Sequence, residues 1–133
     1  MSELSELEKR VPAELGEFWR ENFTALTSAV AEAAGTTAEL NSVKAAFESL
    51  VADLVLVGVT GADASQLDRL SKSESLAILA DLASHLRFNS EGNHWTGGEE
   101  PWPELVATET GLEKAREILA ERGERWWLRS DAR

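Results

Sequence analysis

The chain has 133 residues, with 24 acidic and 13 basic side chains, which give a formal net charge of -11. Its length fits a single domain, and a hydrophobic fraction of 43% is too high for general disorder. The absence of Cys excludes disulfides, thiolate nucleophiles and cysteine-ligated metals.

The sequence predicts neither a secretory signal at the N-terminus nor a membrane-spanning segment. Its first ten residues are acidic and lack the features of a secretory signal. The longest apolar stretch, residues 50–59, is too short to cross a bilayer. We therefore expect a protein that is not inserted in a membrane and is located in the cytoplasm.

Four capping-box patterns, each a Ser or Thr followed three residues later by Glu, predict where helices begin. They are Ser5 with Glu8, Thr36 with Glu39, Ser71 with Glu74, and Thr110 with Glu113. Apolar residues recur at three- and four-residue steps after these caps, as expected for helices with one buried face.

Two long helices are predicted in the first half of the chain. The first extends from Pro12 to Ala34, where Gly35 is expected to end it. The second extends from Thr37 to Val57. Its Val-rich end has strand character, but the rest of the sequence shows too few partner strands to favour a sheet.

The second half predicts a short helix over residues 63–70, a longer one from Glu74 to Phe88, and a last one from Thr110 to Arg122. Residues 89–107, between the last two of these helices, show no hydrophobic periodicity. The sequence therefore predicts an all-α fold. It is a small irregular or orthogonal bundle of about five helices in one domain, residues 1–133, with one long loop containing Trp, Gly and Pro before the last helix.

That loop is the candidate binding site, because long loops in compact domains are usually functional or disordered, and disordered segments are poor in Trp. The predicted partner-binding residues are Trp95, Trp102, Glu99, Glu100 and Glu104. The indoles would anchor a partner and the carboxylates would attract its basic groups. The alternative is that both Trp side chains pack against the protein's own helices.

No sequence motif indicates catalytic residues, a cofactor or a metal site, and His94 with its neighbouring Glu residues matches no recognised ligand spacing. The net charge disfavours direct binding of nucleic acid and anionic membranes, and it favours a basic protein partner. We therefore expect a non-enzymatic acidic interaction protein, such as an inhibitor, an immunity-like protein, a DNA mimic or an accessory subunit.

Other functional classes remain open at this point. Residues 63–122 have the predicted element order of a winged helix-turn-helix, although the would-be recognition helix and wing carry carboxylates where DNA contact needs Arg and Lys. An enzyme whose site is assembled from scattered residues is a further alternative. Apolar residues at heptad spacing along the second helix also suit packing against a second copy of the chain, so a homodimer is a further alternative.

Overall fold

The computed structural model describes residues 4–32, 34–60, 67–97, 103–123 and Trp126. The helices are α1 (Glu6–Phe18), α2 (Phe23–Val30), α3 (Thr37–Leu50), α4 (Lys72–Leu79), α5 (Leu82–His85) and α6 (Glu109–Arg122). The strands are β1 (Arg20–Asn22), β2 (Val55–Thr60), β3 (Leu67–Arg69), β4 (Leu86–Asn89), β5 (His94–Gly97) and β6 (Glu104–Ala107).

The prediction of an all-α helical bundle is wrong, because the protein has a mixed α/β fold. Its main sheet has the strand order β1-β6-β2-β3, and every neighbouring pair in it is antiparallel. Strands β4 and β5 form a separate antiparallel hairpin. The helices therefore pack against sheets as well as against one another.

The predicted helix from Pro12 to Ala34 is in fact two helices separated by a strand. Helix α1 begins earlier, because the Ser5–Glu8 capping box is formed. It ends where Trp19 adopts a left-handed conformation with φ 56°. After β1, the Asn22 side chain accepts a hydrogen bond from the Ala25 N–H and begins α2.

The second predicted helix also changes to strand before its expected end. Helix α3 stops at Leu50, and Ala52 turns the chain with φ 79°. The Val-rich segment that follows is β2, and it has partners on both sides. The partner strands escaped prediction because β3 has three residues and β6 has four, too few for a clear alternating pattern.

The predictions for the second half are partly wrong. Where the short helix over residues 63–70 was expected, residues 67–69 form β3, and residues 61–66 lie outside the described part of the chain. The helix expected from Glu74 to Phe88 divides into α4, α5 and β4. In the described part of residues 63–122, a strand therefore takes the place of the first helix that a helix-turn-helix requires.

The last helix is confirmed, because α6 runs from Glu109 to Arg122 and Gly123 follows with φ 89°. Its N-cap is Thr108 rather than Thr110. The aperiodic segment before it contains β5 and β6 in place of a continuous loop.

The hydrophobic core lies between the main sheet and helices α1, α2 and α3. Val55, Val57 and Leu105 point into it from β2 and β6 and are fully buried. Phe23 and Phe47 meet there with ring centroids 6.3 Å apart. Among the described helices, none has the length and apolar character needed to cross a bilayer.

We expect Ser71→Ala to lower the free energy of unfolding by about 1 kcal/mol, which is typical for loss of an N-cap. The Ser71 hydroxyl accepts from the Glu74 N–H at 3.2 Å, and the Glu74 carboxylate accepts from the Ser71 N–H at 3.1 Å. Chemical denaturation measures the change. The control is Ser73→Ala in the exposed first turn of α4, and an equal loss in both variants would contradict a capping role.

Candidate functional site

Trp95 lies on β5 and is part of the core, with 4% of its surface exposed. Its ring contacts Phe88 edge to face, with centroids 5.3 Å apart. Its indole N–H donates to Glu39 Oε1 at 2.9 Å. Its backbone is tied to α2, because the Ser28 hydroxyl donates to the Trp95 carbonyl at 2.7 Å and accepts from the Trp95 N–H at 3.0 Å. This burial favours a structural role for Trp95 over a role as an exposed anchor.

Glu104, the other described residue of the predicted site, lies on β6 in the main sheet. Its Oε1 is 3.3 Å from Arg20 Nε, and its side chain is 15% exposed. Trp95 and Glu104 thus belong to different sheets. Trp102, Glu99 and Glu100 lie outside the described residues.

A cleft of about 470 Å³ lies between α1, α3 and the connection from α2 to α3. We call it the α1–α3 cleft. Leu7, Ala31 and Val43 contribute apolar walls, and Ala31 and Val43 are themselves buried. Four charged residues also line it: Glu6, Arg10, Glu32 and Glu39. Apolar walls with a few converging polar groups are typical of binding sites.

Arg10 and Glu32 form an ion pair at the cleft. Arg10 Nη1 lies 2.7 Å from Glu32 Oε1 and also donates to the Val30 carbonyl at 3.0 Å. The Glu32 side chain is 69% exposed, whereas that of Arg10 is 22% exposed. Arg10 is therefore held by the framework, and Glu32 is the carboxylate that an incoming group can reach.

Glu39 organises the cleft wall from the first turn of α3. Its Oε2 accepts from the Ala34 N–H at 2.9 Å, and its Oε1 accepts from the Gly35 N–H at 3.2 Å and from the Trp95 indole. Burial acts to raise the pKa of Glu39, but these hydrogen bonds outweigh it and lower the pKa below its usual value. Glu39 is therefore ionised at neutral pH and holds the α2–α3 connection in place.

Glu6 connects the cleft to the last helix. Both of its oxygens bind Arg122 of α6, at 2.6 Å to Nη1 and 2.8 Å to Nη2. The hydrogen bond with Arg122 holds the pKa of Glu6 below its usual value. Glu6 is exposed, so this pair adds little to stability, but it links α6 to α1.

The cleft was not predicted from the sequence, because its residues come from two helices and their connection. Glu39 was singled out only as the partner of the Thr36 cap. Thr36 does cap α3, with its hydroxyl accepting from the Glu39 N–H at 3.1 Å, but the Glu39 carboxylate turns to the α2–α3 connection instead of completing the capping box. No residue spacing in the sequence indicates that the Glu39 carboxylate binds the α2–α3 connection.

A second group of carboxylates lies where the C-terminal half of α1 meets β1. Glu21 on β1 is hydrogen-bonded to Glu14, and its Oε2 is buried without a hydrogen-bond partner among the described residues. Burial, together with the charges of Glu14 and Glu17, raises the pKa of Glu21 to about 8. Within the described ranges, no group of three or more His, Asp or Glu side chains is placed to hold a metal ion.

No protein-family model matches the chain, and no curated protein or solved structure shows significant similarity to it.

Proposed function

We propose that this is a non-enzymatic interaction protein, of the inhibitor or accessory-subunit type, that binds a basic protein partner through the α1–α3 cleft. The observation that carries the proposal is the convergence of three carboxylates, from Glu6, Glu32 and Glu39, on a cleft with apolar walls. The net charge of -11 supports it, because the field of the whole chain attracts and steers a basic partner.

A Lys or Arg side chain of the partner fits this cleft chemically. Its aliphatic stem packs against Leu7 and Val43 while its charged head reaches the Glu32 carboxylate at the rim. Glu32 binds Arg10 through Oε1, so its second oxygen is left for the incoming cation. Arg10 keeps its bond to the Val30 carbonyl when it shares Glu32.

A cytoplasmic location is part of the same proposal. It is supported by the absence of Cys, which suits a reducing compartment. The proposal does not include direct binding of nucleic acid, because the net charge that attracts a basic protein repels phosphates.

We expect Glu32→Lys to reduce retention of the partner by about tenfold or more, because reversing a charge in an interface replaces an attraction with a repulsion. The measurement is affinity capture from the native host's lysate at low and moderate salt, quantified by mass spectrometry. The matched control is Glu113→Lys, which makes the same charge change at an exposed site on α6. The wild type and the control should retain one basic protein in near-stoichiometric amount.

Three outcomes would contradict the proposal. The first is recovery of no protein beyond the bait. The second is an equal loss in both variants, which would mean that overall charge alone causes the retention. The third is retention of nucleic acid in place of a basic protein.

A further inference from the structure

Trp19 is the one large hydrophobic side chain that is strongly exposed within the described part of the chain, at 44%. It follows the last residue of α1 and directly precedes β1. Exposed Trp side chains are enriched among the residues that contribute most to protein–protein binding.

The backbone of Trp19 is held in a conformation that usually selects Gly. Its φ of 56° lies in the left-handed region, where a residue with a Cβ is disfavoured. Hydrogen bonds hold it there: the Trp19 N–H donates to the Leu15 carbonyl at 2.7 Å, and the Ala107 N–H donates to the Trp19 carbonyl at 2.8 Å. Helix capping does not require an indole at this position. The Trp side chain therefore indicates a role other than ending the helix.

Two guanidinium groups lie beside the indole. The Cζ atoms of Arg20 and Arg69 are 5.4 and 5.8 Å from the centre of the Trp19 ring, within the range of cation–π contact. The charge of Arg20 is balanced by Glu104. Arg69 is exposed, and none of the described carboxylates lies within ion-pair distance of it.

The strand register places these groups on the outer face of the main sheet. Glu104 pairs with Gly58, and Gly58 pairs with Arg69, so the side chains in this row point to one face. The neighbouring positions Val57 and Leu105 are fully buried on the opposite face. The outer face thus carries a cationic and aromatic surface on a protein with a net charge of -11.

We propose that Trp19, Arg20 and Arg69 form a docking surface for a second protein partner, which presents a carboxylate beside an apolar side chain. Arg69 binds the carboxylate, and its planar guanidinium suits a two-point contact. Trp19 packs against the apolar side chain, and Arg20 holds the indole in place. The protein then carries two surfaces of opposite charge preference, the acidic α1–α3 cleft and this one.

Charge complementarity favours an acidic protein segment over a nucleic acid strand. A single Asp or Glu needs only one guanidinium, which Arg69 supplies, since none of the described carboxylates forms an ion pair with it. A strand of nucleic acid places a charge on every nucleotide and must pass over the remaining acidic surface, which repels it.

The test is selection of displayed random peptides on the folded wild-type protein, with Trp19→Gly used to remove background binders. We expect the selected peptides to contain Asp or Glu next to an aromatic or large aliphatic residue. The strongest peptide is then synthesised and its Kd is measured for each variant. Trp19→Gly and Arg69→Gln should each weaken binding by about tenfold or more. Arg87→Gln, which removes an exposed guanidinium from the separate hairpin, should not change the Kd.

Trp19→Gly separates binding from folding, because Gly suits the left-handed position and should leave the denaturation midpoint unchanged or raised. Glu32→Lys, which tests the cleft, should leave the peptide Kd unchanged, so the two proposals can fail separately. Selection of basic peptides, no enrichment over Trp19→Gly, or tighter binding of a single-stranded oligonucleotide than of the peptide would each overturn the inference.

Discussion

Replacing Trp95 with Ala is expected to lower the free energy of unfolding by about 3–5 kcal/mol, the usual cost of removing a large buried aromatic side chain. The indole is 4% exposed, contacts Phe88, and donates the hydrogen bond that helps to hold Glu39. The substitution therefore leaves a cavity and also takes a donor away from a partly buried carboxylate. Chemical denaturation followed by circular dichroism measures the loss.

Two matched variants divide this effect into its parts. Trp95→Phe keeps most of the apolar volume and loses the N–H donor, so we expect a smaller loss of about 1–2 kcal/mol. Trp19→Gly removes an indole of the same size from the surface and should cost little. If Trp95→Ala instead left stability intact and weakened partner binding, the sequence-based prediction of an anchoring Trp95 would hold.

Glu21→Gln is expected to stabilise the protein above pH 8 and to have little effect near pH 4.5. Glu21 has a pKa of about 8 in the folded state, and we take 4.5 for the unfolded chain. Between these values the folded state holds a proton that the unfolded state has released, so stability falls as pH rises through this range. Gln is uncharged throughout and removes that dependence.

The expected gain above pH 8 is about 2 kcal/mol. Each unit of pKa shift corresponds to about 1.4 kcal/mol, and we discount the full shift because Glu21 is partly exposed and solvent screens its charge. Denaturation midpoints measured from pH 4.5 to 9 test this. Glu113→Gln on exposed α6 should keep the wild-type pH profile, and an unchanged profile in Glu21→Gln would contradict the assignment.

The helix boundaries set by local hydrogen bonds could be predicted from the sequence. The Ser5–Glu8 and Ser71–Glu74 capping boxes are both formed, and α6 ends at Arg122 as expected, with Gly123 as its C-cap. These signals work because the interacting residues are three or four positions apart and need no tertiary contact.

The sheet and the cleft could not be predicted, because they depend on residues that are distant in the sequence. Strand β1 has three residues, too few for a pattern, and pairs with β6, so that Asn22 lies opposite Glu104. Trp95 could be identified as unusual, but it lies on β5 and its partner Glu39 lies on α3, 56 residues earlier, so only the fold brings the two together. Trp19 falls inside the helix predicted from Pro12 to Ala34, and a continuous helix there gives no reason to expect an exposed indole.

The strand order has a consequence for how the protein forms during synthesis. Strand β6 lies between β1 and β2, yet it follows both of them in the chain by many residues. Until residues 104–107 leave the ribosome, β1 has no sheet partner and β2 has one unpaired edge. The sheet therefore cannot close until residues 104–107 have left the ribosome, and in the interval the open edge of β2 is a template for pairing with other nascent chains.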